Sequence, residues 1–203
     1  MLRFLGLIAA IFALPSSSIL TADLSPTKKT PPTPYFIDNN IITRVVCGNA
    51  IGTGFYVEAN LIATAYHVVS HGACESDGVP ATVVHVGQNG QDFALIRVSR
   101  QSDMRAIINC GGLKEDGHYF ATGFAEGAEH SVTQRLLGSG SRNEEKGSFS
   151  GLTIFRGSIT QGQSGGPIND EDGAVVAIIN ANTDDGVTIS EGLSLSETIL
   201  CKK

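Results

Sequence analysis

The sequence predicts an all-β protein whose strands fall into two groups. Two observations predict this class: the 203 residues contain many short apolar runs, and 24 residues are glycine, which favours tight turns over long helices. A chain of this length fits one domain of two halves, since a domain commonly holds about 100–200 residues. Hydrophobic residues make up 41% and charged residues 17%, which is typical of a folded globular protein.

Eight segments from residue 41 onward are predicted strands, because each is short and rich in β-branched or aromatic residues. The segments are 41–46, 53–57, 61–69, 81–86, 92–98, 118–124, 152–157 and 174–181. The polar stretch 98–106 is the predicted link between the two halves. The stretch 127–150 is predicted to be a mobile loop with one strand, and 193–200 a short helix.

Residues 1–18 have the features of a signal peptide. Arg3 supplies a positive charge, 4–14 form a short apolar core, and small residues suited to cleavage follow. The apolar core is shorter than the roughly 20 residues that span a bilayer. Cleavage is expected after Ser18, with Ala22 as the alternative. An uncleaved anchor or a buried helix is the competing interpretation.

The segment 19–40 is rich in proline, threonine and lysine, and is predicted to be a tether or a propeptide. No stable membrane span is expected after cleavage, and the protein is expected to be secreted or periplasmic. The formal net charge of -6 and the pI of about 5.3 argue against a nucleic-acid partner, which would require a basic surface.

The sequence contains four cysteines: Cys47, Cys74, Cys110 and Cys201. An even number in an exported chain predicts two disulfides. Four cysteines allow three pairings, and their spacing does not choose among them. Free buried thiols are the alternative.

A serine flanked by glycines is the first candidate for catalysis. Ser164 lies in the segment GQSGGP, residues 162–167. Glycines let the backbone turn sharply, expose the hydroxyl and leave backbone N–H groups to face an oxyanion. A serine hydroxyl is a weak nucleophile alone. It needs a histidine base, and the histidine needs a carboxylate to hold its tautomer.

The order of these partners along the chain selects among serine hydrolases. In α/β-hydrolases the histidine follows the serine, whereas all five histidines here precede Ser164. The subtilisin order would need Asp23 or Asp38, which lie in or beside the tether. The order His67, Asp92, Ser164 remains. Taken singly, each of these residues also has an ordinary structural interpretation.

Three segments together resemble the trypsin-like peptidases, most closely their HtrA-type and other bacterial branch. They are GTGFYVEANLIATAYHVV at 52–69, DFALIRV at 92–98 and GQSGGPINDEDGAVVAIINAN at 162–182. The resemblance covers roughly residues 45–200. It implies two packed six-stranded antiparallel β-barrels, the first at about 41–100 and the second at about 108–203, to which the short C-terminal helix is added.

The resemblance implies a role for each candidate residue. His67 is the general base and then the general acid, Asp92 orients it, and Ser164 attacks the scissile carbonyl to give an acyl-enzyme. The N–H groups of Gly162 and Ser164 form the oxyanion hole. The implied disulfides are Cys47–Cys74, which would brace the loop after His67, and Cys110–Cys201, which would tie the inter-barrel link to the C-terminal region.

The resemblance also identifies positions in the substrate pocket. They are Ser158, Ile179, Asn180, Ala181 and Asn182. None of them is a carboxylate, and no histidine follows Ser164, so small or medium apolar P1 side chains are expected rather than Arg, Lys or Glu.

One position departs from the digestive relatives, in which a freed Ile-Val-Gly-Gly terminus pairs with an aspartate just before the serine. Here that residue is Gln163, and no such start sequence is present. The site is therefore expected to form without insertion of the N-terminus. A PDZ module is not expected, because the chain ends soon after the peptidase domain.

A zinc site is the competing use of His67 and His71, which lie four residues apart. The glutamate of the H-E-x-x-H motif is missing, since Val68 stands in its place, and Cys74 is expected in a disulfide. No metal or other cofactor is expected.

The predicted function is that of an exported serine endopeptidase acting on protein or peptide substrates. The alternative is a catalytically inactive trypsin-like homologue that acts as a binding protein. The presence of all three triad residues argues against it. A different esterase or hydrolase class conflicts with the order of the histidines. The sequence does not determine the oligomeric state.

Overall fold

A computed structural model of the chain describes residues 40–114, 116–126, 128–138, 144–146, 149–182 and 189–202. The predicted signal peptide and the tether, except for its last residue Asn40, lie outside the described residues. Within the described part, none of the helices has the length and hydropathy that a bilayer crossing requires.

The first half is a closed barrel of six antiparallel strands. Its elements are β1 Ile42–Cys47, β2 Ala50–Glu58, β3 Leu61–Thr64, the four-residue helix α1 Tyr66–Val69, β4 Cys74–Ser76, β5 Val79–Val86 and β6 Ala94–Val98. The strands pair in the order β1-β2-β3-β6-β5-β4, and β4 returns to β1. Because β3 and β6 are antiparallel with Thr64 opposite Ala94, the end of β3 and the start of β6 lie at the same edge of the barrel.

The second half is a seven-stranded antiparallel sheet. Its strands are β7 His118–Phe124, β8 Ser131–Gly138, β9 Glu144–Lys146, β10 Phe149–Arg156, β11 Pro167–Asn169, β12 Val175–Asn182 and β13 Ile189–Ser194. They pair in the order β13-β12-β11-β7-β8-β10-β9, and an additional pairing of β13 with β10 closes six of them into a ring. The strand β9 extends this ring at β10.

Three hydrophobic clusters form the core. One fills the first barrel around residues such as Val45 and Ile62, and another fills the second around Phe155 and Ile168. The third joins residues of both halves, namely Ile42, Phe55, Leu61, Ala63, Phe93, Leu95, Val175, Ile178, Leu193 and Leu195. The two halves are therefore packed, and the predicted all-β double barrel is confirmed.

Two predictions about helices need correction. The run 61–69 was predicted as one strand, but the strand ends at Thr64, and Ser70 N–H donates to the carbonyl of Tyr66 to close the turn of α1. Beyond Thr64, no strand of the described residues pairs with this segment, so its tendency to form a strand is overridden. The predicted helix at 193–200 is one 3-10 turn, Leu195–Glu197, because the residues up to Ser194 pair in β13.

The prediction of a mobile loop with one strand at 127–150 expected too few strands. This stretch contains β8, β9 and the start of β10. β8 pairs with β7 along seven residues, from Leu137 opposite His118 to Ser131 opposite Phe124. Its polar composition hid the strand, because the hydrogen bonds of the ladder come from the backbone.

Both disulfides implied by the resemblance are present. Cys47 is bonded to Cys74, which joins β1 to β4 across a sequence separation of 27. Cys110 is bonded to Cys201 across a separation of 91. The first disulfide encloses α1 in its loop, and the second ties the link between the halves to the end of the described chain.

Candidate active site

His67 and Asp92 meet at the shared edge of β3 and β6. His67 is the second residue of α1, just after β3, and Asp92 lies two residues before β6. His67 N–H donates to Asp92 Oδ1 at 2.7 Å, and His67 Nδ1 lies 2.6 Å from Asp92 Oδ2. The Asp92 side chain is 0% exposed and that of His67 is 33% exposed. Phe93 anchors this carboxylate from the adjacent position, since its ring is buried in the cluster between the halves.

This contact determines the tautomer of the imidazole. An ionised carboxylate is only an acceptor, so the proton between the two residues belongs to His67 Nδ1. The lone pair of a neutral imidazole then resides on Nε2. The arrangement therefore gives His67 a basic nitrogen on the side away from Asp92.

Ser164 lies on a turn between β10 and β11. Gln163 N–H donates to Thr160 O at 3.1 Å, and Gly166 N–H donates to Gln163 O at 2.9 Å. Gly165 has a φ of +85°, in the left-handed region, and a Cβ there would lie 2.3 Å from both Thr53 O and Thr64 Oγ1. Only glycine allows this close approach to the first barrel.

The same approach brings Ser164 beside the histidine helix. Thr53 N–H donates to Ser164 O at 2.8 Å. A Cβ added to Gly52 would meet the Val68 side chain at 2.6 Å and Ser164 O at 2.9 Å, so this glycine lies between the residue after His67 and the serine. The turn that carries Ser164 and the segment that carries His67 therefore both pack against the same part of β2, at Gly52 and Thr53.

The Ser164 hydroxyl has a defined partner. Its Oγ donates to the carbonyl oxygen of Asn180 on β12 at 3.0 Å. Asn180 is buried, and its Nδ2 has no hydrogen-bond partner among the residues that the structure describes. Because a single rotation about the Cα–Cβ bond re-aims the hydroxyl, this contact is a resting position for it.

Two backbone donors beside the serine are without acceptors. Among the residues that the structure describes, neither the N–H of Gly162 nor that of Ser164 donates a hydrogen bond. The carbonyl of Gly162 accepts from Thr53 Oγ1 at 2.9 Å, and this hydroxyl in turn accepts from Phe124 N–H at 2.9 Å. Within the described residues, the N–H groups of Gly162 and Ser164 are therefore available to an anionic oxygen.

The predicted pocket residues are placed as follows. Ser158 is half-buried and follows β10. Ile179 is completely buried in the core of the second half, and its backbone bonds both Gly165 N–H and Gly166 O. Ala181 and Asn182 continue β12, but their side chains lie outside what the structure describes. Cys74, considered above as a metal ligand, is taken up by its disulfide.

A model of the trypsin-like peptidase domain matches residues 52–178, more than half of the chain. The chain belongs to the trypsin-like peptidase family. The predicted membership is confirmed, and the family indicates peptide or protein substrates. A search of curated proteins gives no match to this trypsin-like chain.

Solved structures of bacterial proteases share the fold. The active form of the Rv3671c protease from M. tuberculosis has a TM-score of 0.70 at 19% identity, over 87% of this chain and 91% of that one. The MamO protease domain from Magnetospirillum magneticum has a TM-score of 0.64 at 19% identity, over 77% and 93%. The HtrA-type protease AlgW has a TM-score of 0.69 at 15% identity, over 80% and 58%. At these identities the likeness shows the fold alone.

Sequence reasoning about this trypsin-like chain missed the role of Thr53. The residue was noted only as part of a glycine-rich segment, yet its side chain is 0% exposed and bonds the carbonyl of Gly162. A threonine between two glycines in a strand gives a weak local signal. Its partners, Gly162 and Phe124, come from the other half of the molecule, so only the packed structure identifies them.

Proposed function

We propose that this protein is an exported serine endopeptidase with His67, Asp92 and Ser164 as its catalytic triad. The observation that supports this most strongly is the position of the Ser164 turn against the segment that carries His67, whose ring and backbone N–H both contact the buried Asp92 carboxylate. A structural histidine has no need of a buried carboxylate that binds both its ring and its backbone N–H. A general base does need one to hold its tautomer.

The reaction begins when the Ser164 hydroxyl turns from the Asn180 carbonyl toward His67. His67 takes the hydroxyl proton while Oγ forms a bond to the scissile carbonyl carbon, and the carbonyl oxygen becomes an oxyanion. The N–H groups of Gly162 and Ser164 donate to that oxygen. His67 then returns the proton to the leaving amine as the C–N bond breaks, which leaves an acyl-enzyme. Water, deprotonated by His67, hydrolyses the ester.

Asp92 acts through the histidine. Its carboxylate accepts from Nδ1 and is buried, so it favours the imidazolium that forms when His67 takes the serine proton. The hydrogen bond from His67 N–H to Asp92 Oδ1 fixes the same carboxylate to the start of α1. The ring is thereby oriented by two contacts rather than one.

Export and substrate preference are part of this proposal. The predicted signal peptide supports export, and two disulfides are typical of proteins in oxidising compartments. The predicted pocket positions, which include Ser158 and Asn180, carry no carboxylate. This composition supports a preference for a small or medium apolar P1 side chain in the substrate.

One experiment tests these statements together. The full chain is produced in a secreting bacterial host beside Ser164→Ala and the control Ser99→Ala, whose serine is exposed after β6. Each protein is treated with a fluorophosphonate probe and with casein. Intact mass spectrometry reports the mature N-terminus and the probe adduct, and sequencing of the casein fragments reports the P1 residue.

The parent and Ser99→Ala are expected to begin after Ser18 or Ala22, to gain one adduct and to cleave casein after apolar residues. Ser164→Ala is expected to gain no adduct and to cleave nothing. A folded parent that takes no probe contradicts the enzyme and favours the binding-protein hypothesis. An intact N-terminus contradicts export, and cleavage dominated by Arg, Lys or Glu at P1 contradicts the pocket.

A further inference from the structure

Gln163, the residue before the proposed nucleophile, is a polar side chain that is completely buried, at 0% exposure. Both the oxygen and the nitrogen of its amide form hydrogen bonds. Oε1 accepts from Thr160 N–H at 2.6 Å, and Nε2 donates to the carbonyl of Val132 on β8 at 3.2 Å. Burying an amide is costly unless its groups are bonded, so these two contacts define one position for the side chain.

The two contacts tie together different parts of the second half. Thr160 begins the turn that leads to Ser164, and the backbone N–H of Gln163 donates back to its carbonyl at 3.1 Å. Val132 belongs to β8, beneath that turn. The side chain of Gln163 therefore closes the turn on itself and fixes it to the sheet.

The position of this turn determines the directions of the two oxyanion donors. In a planar trans peptide the C=O and the N–H point in opposite directions. The Gln163 carbonyl accepts from Gly166 N–H at 2.9 Å, which fixes the peptide that carries the Ser164 N–H. The Gln161 carbonyl accepts from Glu126 N–H at 2.7 Å, which fixes the peptide that carries the Gly162 N–H. Gln163 lies between the two peptides.

We infer that the Gln163 side chain is the positioning residue of the oxyanion hole, and that it organises the hole without a charged partner. A neutral amide bonded to two backbone groups replaces the pairing of an aspartate with a freed N-terminal amine. This inference rests on the proposed function. Because the donors meet a charged oxygen only during the reaction, loss of Gln163 affects the transition state more than substrate binding.

The test compares the parent with Gln163→Met, which keeps an unbranched side chain and removes both hydrogen bonds. Gln101→Leu is the matched control, since Gln101 is exposed and lies in the link between the halves. The measurements are kcat and KM on a peptide amide, the affinity for a peptide aldehyde that forms a tetrahedral adduct, and the thermal unfolding temperature.

For a folded Gln163→Met, we expect kcat to fall about 10- to 100-fold with KM within about twofold of the parent, and the aldehyde affinity to fall in parallel. Gln101→Leu is expected to match the parent. A folded variant with parental kcat, or one whose loss is entirely in KM, overturns the inference.

Gln163→Glu decides the question if the methionine variant does not fold. It keeps the shape and the acceptor for Thr160 N–H, but it presents an oxygen instead of an N–H donor to the Val132 carbonyl. A fall in kcat at constant KM supports the inference, and parental kcat overturns it. If the parent takes no fluorophosphonate at Ser164, the proposed function fails. That outcome differs from parental kcat in the Gln163 variants, which contradicts only the inference about Gln163.

Discussion

The two halves of the molecule hold their parts of the site in different ways. In the first half, six residue pairs join β1 to β2, and the barrel is closed by β4 on β1. His67 and Asp92 leave adjacent strands at one edge of this barrel and bond each other directly. In the second half, Ser164 lies on a turn. Among the described residues, β8 and β10 meet at only two pairs, Phe155 with Gly138 and Arg156 with Leu137.

The acid–base pair therefore starts from two paired strands of one barrel, whereas the nucleophile lies on a turn that single contacts from several elements hold in place. The serine turn is held from the first half by Thr53, from within by Gln163 and from β12 by the backbone of Ile179. A turn outside a ladder lacks repetitive hydrogen bonds, so each such contact has a larger share in its geometry.

The largest effect is expected at the acid–base pair. Asp92→Asn is expected to lower kcat about 10⁴-fold, because an amide donor facing Nδ1 favours the wrong imidazole tautomer. The fold is expected to persist, since the barrel closes without this side chain. The measurement is kcat/KM on a peptide amide, with Asp103→Asn, at an exposed aspartate, as the control. A loss smaller than tenfold would remove Asp92 from the proposed triad.

The next effect is the loss of unfolding free energy when either disulfide is removed. Replacing both cysteines of either pair with serine is expected to cost about 3–5 kcal/mol of unfolding free energy, and the loss is expected to be about 1 kcal/mol larger for Cys110–Cys201, because its separation is 91 against 27. Urea unfolding of the two variants measures the difference, with the disulfide-bonded parent as the reference. A larger loss of unfolding free energy from removing Cys47–Cys74 would show that bracing the loop after His67 stabilises the fold more than the difference in loop length does.

The smallest effect is expected at the contact between the halves. Thr53→Val keeps the side-chain shape but leaves Phe124 N–H and Gly162 O without their buried partner. We expect a loss of about 1–3 kcal/mol in unfolding free energy and a fall in kcat of about tenfold. The control is Thr82→Val on the exposed face of β5. Parental kcat in a destabilised Thr53→Val would mean that the serine turn holds its geometry without the first half.

Much of the first half was predictable, because its apolar runs are themselves the strands and their ends present His67 and Asp92. The second half was harder. The strands β11 and β13 lie outside the predicted segments, and β8 was expected only as one strand within a loop, because these segments are short or polar and contain no long apolar run. Local propensity has little influence where a neighbouring strand decides the conformation.

Residue types and their order are enough to predict the chemical groups of the site: a histidine after one apolar run, an aspartate at the start of another, and a glycine-flanked serine later in the chain. The glycines that flank Ser164 also predict a tight turn there. Which groups meet, including Thr53 with Gly162 and Gln163 with Val132, follows from how the strands and the two halves pack. A strand end or a tight turn depends mainly on residues that are adjacent in sequence. A contact between the halves depends instead on the register of the strands and on how the side chains pack.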